Sequence, residues 1–499
     1  MSLTIEEQNG YWVASVGPEI VPEVTLLAGD SGPAATTAFN GNGQQWSDGL
    51  APHAVPYLVA LGTNATDALH FPTASATFAG TQLRIGDAEN ATSGRIDATT
   101  QNAATSYSFE NLVLEKGLFE FHKDKSGGIS LNGRISVAST SESPFVIEGA
   151  AAVTAAENLF HGGTNAVLEL RGAANSTLGL SLVGANWGQK TFANYSGRVI
   201  VDNAKIVFGV FHYGASSPVA NAFTLRNGGR LSKTGANSTW NSNAGIFVDA
   251  TGGQIGSDYG GTLAIYNQIT GGPVSFVHGS GTTTSLYGLT AVSNLAVSVG
   301  SIVNATSSAT LDNARYTISG GAKFTIADGA TFAPRTTLPD AVVTNAMLKV
   351  GRAVSSLRLD LCAEGVLSLT NGVCAAFTTT NATLRGGAVV AFDVDVENGV
   401  CDSLAVLGAA TSLTATRESP LRILVKPADA SFEPAPDAIL AFDLLSLPAS
   451  IGPVDKKCLE LSFTDTSCLD DLKLYVLQQD GRQIVRLTNR NPGTCILLR

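Results

Sequence analysis

Charge is scarce in this sequence. Charged residues make up 14% of the 499, against about 25% in an ordinary soluble domain. The 30 basic residues are scattered among 41 acidic ones, for a net charge of −11. Nucleic-acid binding is thereby excluded, because neutralising phosphates needs clustered Lys and Arg. No stretch approaches about 18 uncharged apolar residues, so no membrane-spanning helix is expected. The start, Met1-Ser2-Leu3-Thr4-Ile5-Glu6-Glu7, has no basic region followed by an apolar run, and no secretory signal is visible in it. Helical periodicity is missing too. The best window, Ala150 to Leu159, is short, flanked by glycine and has room for a single turn. The six histidines include no pair at metal-ligand spacing, and no phosphate-cradling glycine loop precedes a helix. Neither a metal nor a cofactor is expected.

Low charge here does not mean disorder, because 44% of the residues are hydrophobic and supply ample material for a core. What is abundant is glycine, 53 residues, and much of it opens a recurring phrase in which a glycine precedes a strand of alternating apolar residues. The phrase stands at Gly94-Arg95-Ile96-Asp97, Gly133-Arg134-Ile135-Ser136-Val137, Gly197-Arg198-Val199-Ile200-Val201 and Gly229-Arg230-Leu231-Ser232. It returns without arginine at Gly261, Gly321 and Gly365. Between these segments lie Gly, Asn, Asp and Ser clusters that supply turn positions. Spacing runs from 32 residues (Gly197 to Gly229) to 64 (Gly133 to Gly197). That irregularity fits neither the fixed period of a propeller nor that of a sandwich array.

A right-handed parallel β-helix tolerates it, since each strand pairs with the one above at about 4.8 Å and loops of unequal length project outward. The expectation is an all-β solenoid of roughly 15 to 18 coils, with residues 1–70 as an N-terminal cap, 71–455 as the β-helix and 456–499 as a C-terminal hairpin cap. The hairpin is read from two alternating strands around Asp480-Gly481, a pair that favours a type I′ turn.

Candidate chemistry is thin. Arg95, Arg134, Arg198 and Arg230 each follow a coil-opening glycine, so if the coils register they form a basic row able to bind an acidic polysaccharide; solvated outward positions are the plainer alternative. Asp393 and Asp395 fall on one face of a strand, as paired carboxylates for acid–base work require, but an outward polar face explains them as well. Asp124 stands in a charged turn with His122 two residues away. Six cysteines, Cys362, Cys374, Cys401, Cys458, Cys468 and Cys495, leave 15 disulfide connectivities open and form no metal signature.

The run Leu180-Ser181-Leu182-Val183-Gly184-Ala185-Asn186, followed by Asn194-Tyr195-Ser196-Gly197 and the strand through Gly209, resembles the passenger-associated strand repeat of bacterial autotransporter-like proteins. Cys401-Asp402-Ser403-Leu404-Ala405-Val406-Leu407-Gly408 resembles the phrase of the final passenger coils, with Cys401 where serine is usual. No run of about twelve amphipathic strands supplies the membrane barrel of that family. The resemblance implies an extracellular or cell-surface β-helix, not an activity.

Two functions follow from different classes. The preferred one is a non-catalytic, adhesin-like surface protein whose rod contacts a polysaccharide or cell-surface glycan. The other is a polysaccharide lyase or glycoside hydrolase on a β-helix scaffold, which requires a cleft where several acidic and basic side chains converge.

Overall fold

The computed structural model describes the backbone of Ser2–Gln8 and Tyr11–Gly17, and residues 23–490 other than 31, 42, 174–178, 185–190, 209–210, 212, 236, 241–242, 280, 299, 333–338, 352–357, 436, 465–468 and 470. It is an all-β, right-handed parallel β-helix of about 13 turns. Among the described residues the helical elements are single 3-10 turns. Among the described residues no helix is long and apolar enough to cross a membrane. The window from Ala150 to Leu159 holds the strand Ala152–Ala155, not a helical turn, because Val153, Thr154 and Ala155 pair with the neighbouring coil through Ile129 to Leu131.

The chain forms two compact units, the first comprising residues 1–217 with 222–224 and 228–230, the second the remainder. In the first unit, parallel pairing begins early, with Val24–Thr25 beside Pro56–Val59 and that strand beside Gln82–Ile85. One sheet stacks Leu69–His70, Gly94–Thr99, Gly117–His122, Phe145–Gly149, Val167–Gly172 and Arg198–Asp202 in parallel. A second carries the long strands Thr105–Leu114 and Ile129–Val137. These long strands run on through a corner of the coil, so that Ile129–Val137 pairs with both Ala152–Ala155 and Phe160–Gly162 of the next coil. The turns, about 13, are fewer than the sequence predicts.

Glycine at the corner is obligatory. Gly133 has φ +97°, and a Cβ there would lie 1.9 Å from the Phe109 carbonyl oxygen of the coil below; the register shifts between Gly133 and Ile135. Gly94, extended rather than left-handed, is required for close approach: a Cβ would sit 2.1 Å from Val59 O. At Gly94, Gly133, Gly197 and Gly365 the recurring glycine is thus a place where one coil's backbone rests on the next, whereas Gly321 has open space around it.

The interior of this unit is aromatic. Phe39, Phe71, Phe78, Tyr107, Phe109 and Phe119 are all buried and meet with ring centroids 4.5 to 6.2 Å apart. Trp46 is buried against Tyr57 and donates its indole N–H to Ala38 O at 2.8 Å.

The second unit has three strands per coil over much of its length. One sheet runs Asn237–Trp240, Gly261–Ile265, Thr282–Leu286, Ile302–Ala305, Lys323–Ile326 and Met347–Val350, all parallel. It continues through Val366–Ser368, Val389–Asp395, Leu421–Pro427 and Leu459–Phe463. The core columns are aliphatic: Ile265, Leu286, Ala305, Ile326 and Val350 stack in register, and each is at most 1% exposed. A last sheet changes polarity. Ala376–Thr379, Ser403–Val406 and Ala441–Pro448 pair in parallel, and Arg482–Thr488 then joins antiparallel to both Ala441–Pro448 and Lys473–Gln479. Asp480 and Gly481, the hairpin turn, have φ +51° and +71°, the two left-handed positions of a type I′ turn.

Candidate functional site

The densest chemistry lies on the outward face of the first sheet of the first unit. Strand alternation sends Ile96, Phe119, Ile147, Leu170 and Val201 into the core, and the intervening positions face outward. Stacking then places His70 beside Asp97, Asp97 beside Glu120, Glu120 beside Glu148, Glu148 beside Arg171 and Arg171 beside Asp202. Six ionisable side chains therefore occupy one column on six successive strands.

Asp97 is its centre and is 2% exposed. Its Oδ1 accepts from Arg95 Nε at 2.8 Å and its Oδ2 from Arg95 Nη2 at 3.1 Å. The same Oδ2 faces His122 Nε2 at 3.4 Å and His70 Nε2 at 3.5 Å. Burial alone raises the Asp97 carboxyl, but the bonds from His122 and Arg95 outweigh it and hold the group below the usual carboxylate range. The same contact with Asp97 raises His122 above an ordinary imidazole. Arg95 also pairs with Glu120 and donates to Thr63 O at 3.0 Å, so its fork is fully used. Further along, Arg171 bonds Glu169 through Nε at 2.8 Å and Glu148 at 3.3 Å. His70 is set from behind by Asp30, whose carboxylate accepts the His70 backbone N–H at 3.1 Å and the Ala38 N–H at 3.1 Å.

The four arginines do not form one row. Arg95 and Arg198 lie on the sheet just described, but Arg95 is in register with Leu118 and Arg198 with Val167, in different columns. Arg134 and Arg230 lie on strands of another sheet, and Arg134 is exposed, donating to Ser136 Oγ at 3.0 Å. The glycine-led phrases open strands on different sheets, so an equal place in the phrase is not an equal place in the ladder.

The carboxylates at 393 and 395 separate likewise. Asp393 is fully buried and accepts the Gly372 N–H at 2.6 Å, whereas Asp395 caps a turn by accepting from the Asn398 backbone and side-chain amides. Asp393 is instead neighboured by Asp402, which accepts the N–H groups of Asp393 at 2.7 Å and Ala375 at 2.8 Å. Burial pushes Asp402 up to about 6 despite those bonds. The aspartate of the passenger-like phrase is thus a staple between three segments. Asp124 is exposed, beside Lys125, and His122 turns from it toward Asp97 and Glu120. Cys362, Cys374, Cys401 and Cys458 are free thiols; Cys468 and Cys495 lie outside the described residues. Burial raises Cys374 to about 11 and Cys401 to about 12, which keeps both protonated and inert at neutral pH.

The second unit offers two surfaces of a different kind. Arg315, Asp340, Arg358 and Asn381 line up in register along an open groove of about 370 Å³. There Arg358 holds Asp340 at 2.6 Å and Arg385 holds Asp360 at 2.9 Å. On the sheet beginning at Asn237, the outward column reads Thr239, Ala264, Ser285, Asn304, Thr325 and Lys349, beside Asn237, Thr262 and Thr283. All of these are exposed or half-exposed.

No family model matches the chain, and no curated protein matches it. Among solved structures it is similar to a crystal structure of the Haemophilus influenzae Hap adhesin, at 11% identity and a TM-score of 0.25, over 87% of this chain and 64% of that one. The chain therefore spans less than two thirds of that protein's length.

Proposed function

We propose that the chain is an exported, passenger-like β-helix that acts by presenting its surface, without catalysis, to a polysaccharide or cell-surface glycan. The observation that carries this is the in-register column on the second unit that runs from Thr239 through Ala264, Ser285, Asn304 and Thr325, short hydroxyl and amide side chains at every position but Ala264. Ser, Thr and Asn both donate and accept hydrogen bonds, as a neutral sugar face requires. Held on a parallel ladder, they repeat at about 4.8 Å, comparable with the length of one sugar unit. Short side chains also lose little rotamer entropy on binding.

The test is a glycan array probed with the purified full chain, followed by the double variant Ser285→Lys/Asn304→Lys. Binding to a defined glycan set that falls at least tenfold in the variant is expected. Cleavage of any member of a panel of acidic and neutral polysaccharides would instead assign the chain to the lyases or hydrolases. Absence of binding across the array would remove the glycan as partner.

A further inference from the structure

We propose that Cys374 and Cys401 are a disulfide pair, open in the reduced chain and closed by exchange with a small disulfide of the glutathione type. Composition leaves every pairing of the six cysteines open, and the ladder selects this one. The glycan-presenting role of the surface does not depend on it.

Register is the first argument. Ala376 stands opposite Ser403 at the start of the parallel strands Ala376–Thr379 and Ser403–Val406, so two residues earlier Cys374 stands opposite Cys401. The alignment continues ahead of the strands, where Ser403 N–H donates to Ala375 O at 3.1 Å and Ala375 N–H to Asp402 Oδ1 at 2.8 Å. Phe377 and Leu404 fill the core, so by alternation both cysteines fall on the outward column of Ala376 and Ser403. Neighbouring strands lie about 4.8 Å apart, inside the Cα separation of about 4.4–6.8 Å that a disulfide spans. Among the described residues neither Cys362, which follows Arg358–Leu361, nor Cys458, which precedes Leu459–Phe463, has a cysteine in the adjoining register.

The second argument is the placement of the sulfurs. Cys374 Sγ donates to Val400 O, the carbonyl bonded to the Cys401 nitrogen, and to Asp393 O, each at 3.6 Å. It therefore lies against the peptide that enters Cys401. Cys401 Sγ reaches Asp443 O at 3.8 Å. Thiols are weak donors, so turning either one toward the other sulfur gives up little. After burial, the neighbouring Cys374 is the largest influence that raises Cys401, as two adjacent sulfurs require. Both residues are half-buried, so a small disulfide reaches them.

The chemistry balances as an exchange. The Cys374 thiolate attacks one sulfur of the added disulfide, forming a mixed disulfide and expelling one thiolate. The Cys401 thiolate then attacks the Cys374 sulfur and expels the second. Two protein thiols are oxidised, the added disulfide is reduced to two thiols, and the protons lost by the cysteines go to the leaving thiolates. Burial first, then Asp402, with Asp393 and Asp395 beside Cys374 and Asp443 beside Cys401, keeps the pair protonated; the nearby Arg486 is spent on Asp443. Exchange in the folded chain therefore quickens roughly tenfold per pH unit above neutrality as the thiolate fraction grows. The closed bond staples two parallel strands of the last sheet, just ahead of the strand Ala441–Pro448 on which that sheet turns antiparallel.

The reduced full chain, held at about pH 9 with excess oxidised glutathione, then alkylated, digested and mapped by mass spectrometry, should yield a peptide pair linked through Cys374 and Cys401, while Cys362 and Cys458 carry glutathione. Cys401→Ser should leave Cys374 capped by glutathione. At neutral pH closure should be about a hundredfold slower. The closed bond should raise the midpoint of thermal unfolding, reversibly with reductant, in the parent chain but not in Cys374→Ser or Cys401→Ser. Both thiols still free once Cys362 and Cys458 have reacted, glutathione retained on either in the parent chain, or linkage of either to another cysteine would overturn the pairing.

Discussion

The outward columns of the two units are built on the same ladder and filled in opposite ways. In the first unit six ionisable groups stack from His70 to Asp202, with Asp97 2% exposed; in the second, Thr239, Ala264, Ser285, Asn304 and Thr325 stack, all partly open to water and uncharged. A parallel ladder brings like positions of successive coils together, so a charge placed outward meets whatever the next coil carries there. The first unit answers with interleaved cations, Arg95 and Arg171, each bridging carboxylates on two strands. The second avoids the problem with groups that can donate to or accept from one another. Most charges of the first column are paired within it, save at His70, whose Nδ1 lacks a partner, while the second column is built of small, mostly neutral groups that stand partly open to water.

The sharpest way to break this contrast is to remove the centre of the charged column. Asp97→Ala leaves Arg95 buried without its main partner and should destabilise the first unit by about 3–5 kcal/mol, read by chemical denaturation. Ser285→Ala in the polar column should change stability by no more than about 0.5 kcal/mol. An equal effect of the two would mean that the columns are energetically alike.

Glycines make a second pair. Gly133→Ala combines positive φ with a 1.9 Å collision with Phe109 O and should cost more than about 3 kcal/mol. Gly321→Ala has positive φ but open space around the added methyl, so about 1 kcal/mol is expected. Comparing the two denaturation midpoints separates stacking from backbone strain.

A smaller effect sharpens what cations contribute. Asp402 lies among backbone donors, and burial raises it to about 6. A raised carboxylate favours the folded state at low pH, and that contribution is lost as pH rises from about 4 through 6. Asp402→Asn should remove a slope on the order of 1 kcal/mol across that window, once solvent screening is allowed for. Asp360, held low by Arg385, has the opposite sign: its contribution is present above its ordinary pKa and is lost on acidification. Thermal melts of the full chain and of Asp402→Asn and Arg385→Gln variants, from pH 2 to 7, should show opposite changes of slope, the first between about pH 4 and 6 and the second below the ordinary carboxylate value of 3.8.

The coil architecture was legible because its signals are local. A glycine before an alternating strand marks a strand entrance, at Gly94 and Gly133 one where backbone rests on backbone, and Asp480-Gly481 carries its turn geometry in two residues. The columns were not legible, because they are set by register between strands far apart in sequence. His70 and His122 share no spacing rule, yet meet at one carboxylate. Coil lengths in the first unit are uneven, and long strands such as Thr105–Leu114 cross a corner, so no fixed period aligns the ionisable residues. The arginines show the converse: they share a local phrase and were expected in a row, but that phrase opens strands on different sheets. A usable signal was nonetheless present, in core-forming residues flanked on both sides by charged ones: Ile96 between Arg95 and Asp97, Leu170 between Glu169 and Arg171.

Arg95 also has a mechanical meaning. In a stacked fold each coil touches little beyond its neighbours, so tension across a unit loads the ladder one coil at a time and the strands peel in series. A side chain that grips Asp97 on its own strand, Glu120 on the next and the Thr63 carbonyl in the segment before works as a stitch through three layers. Peeling should stall there, making that part of the first unit the last to yield under load.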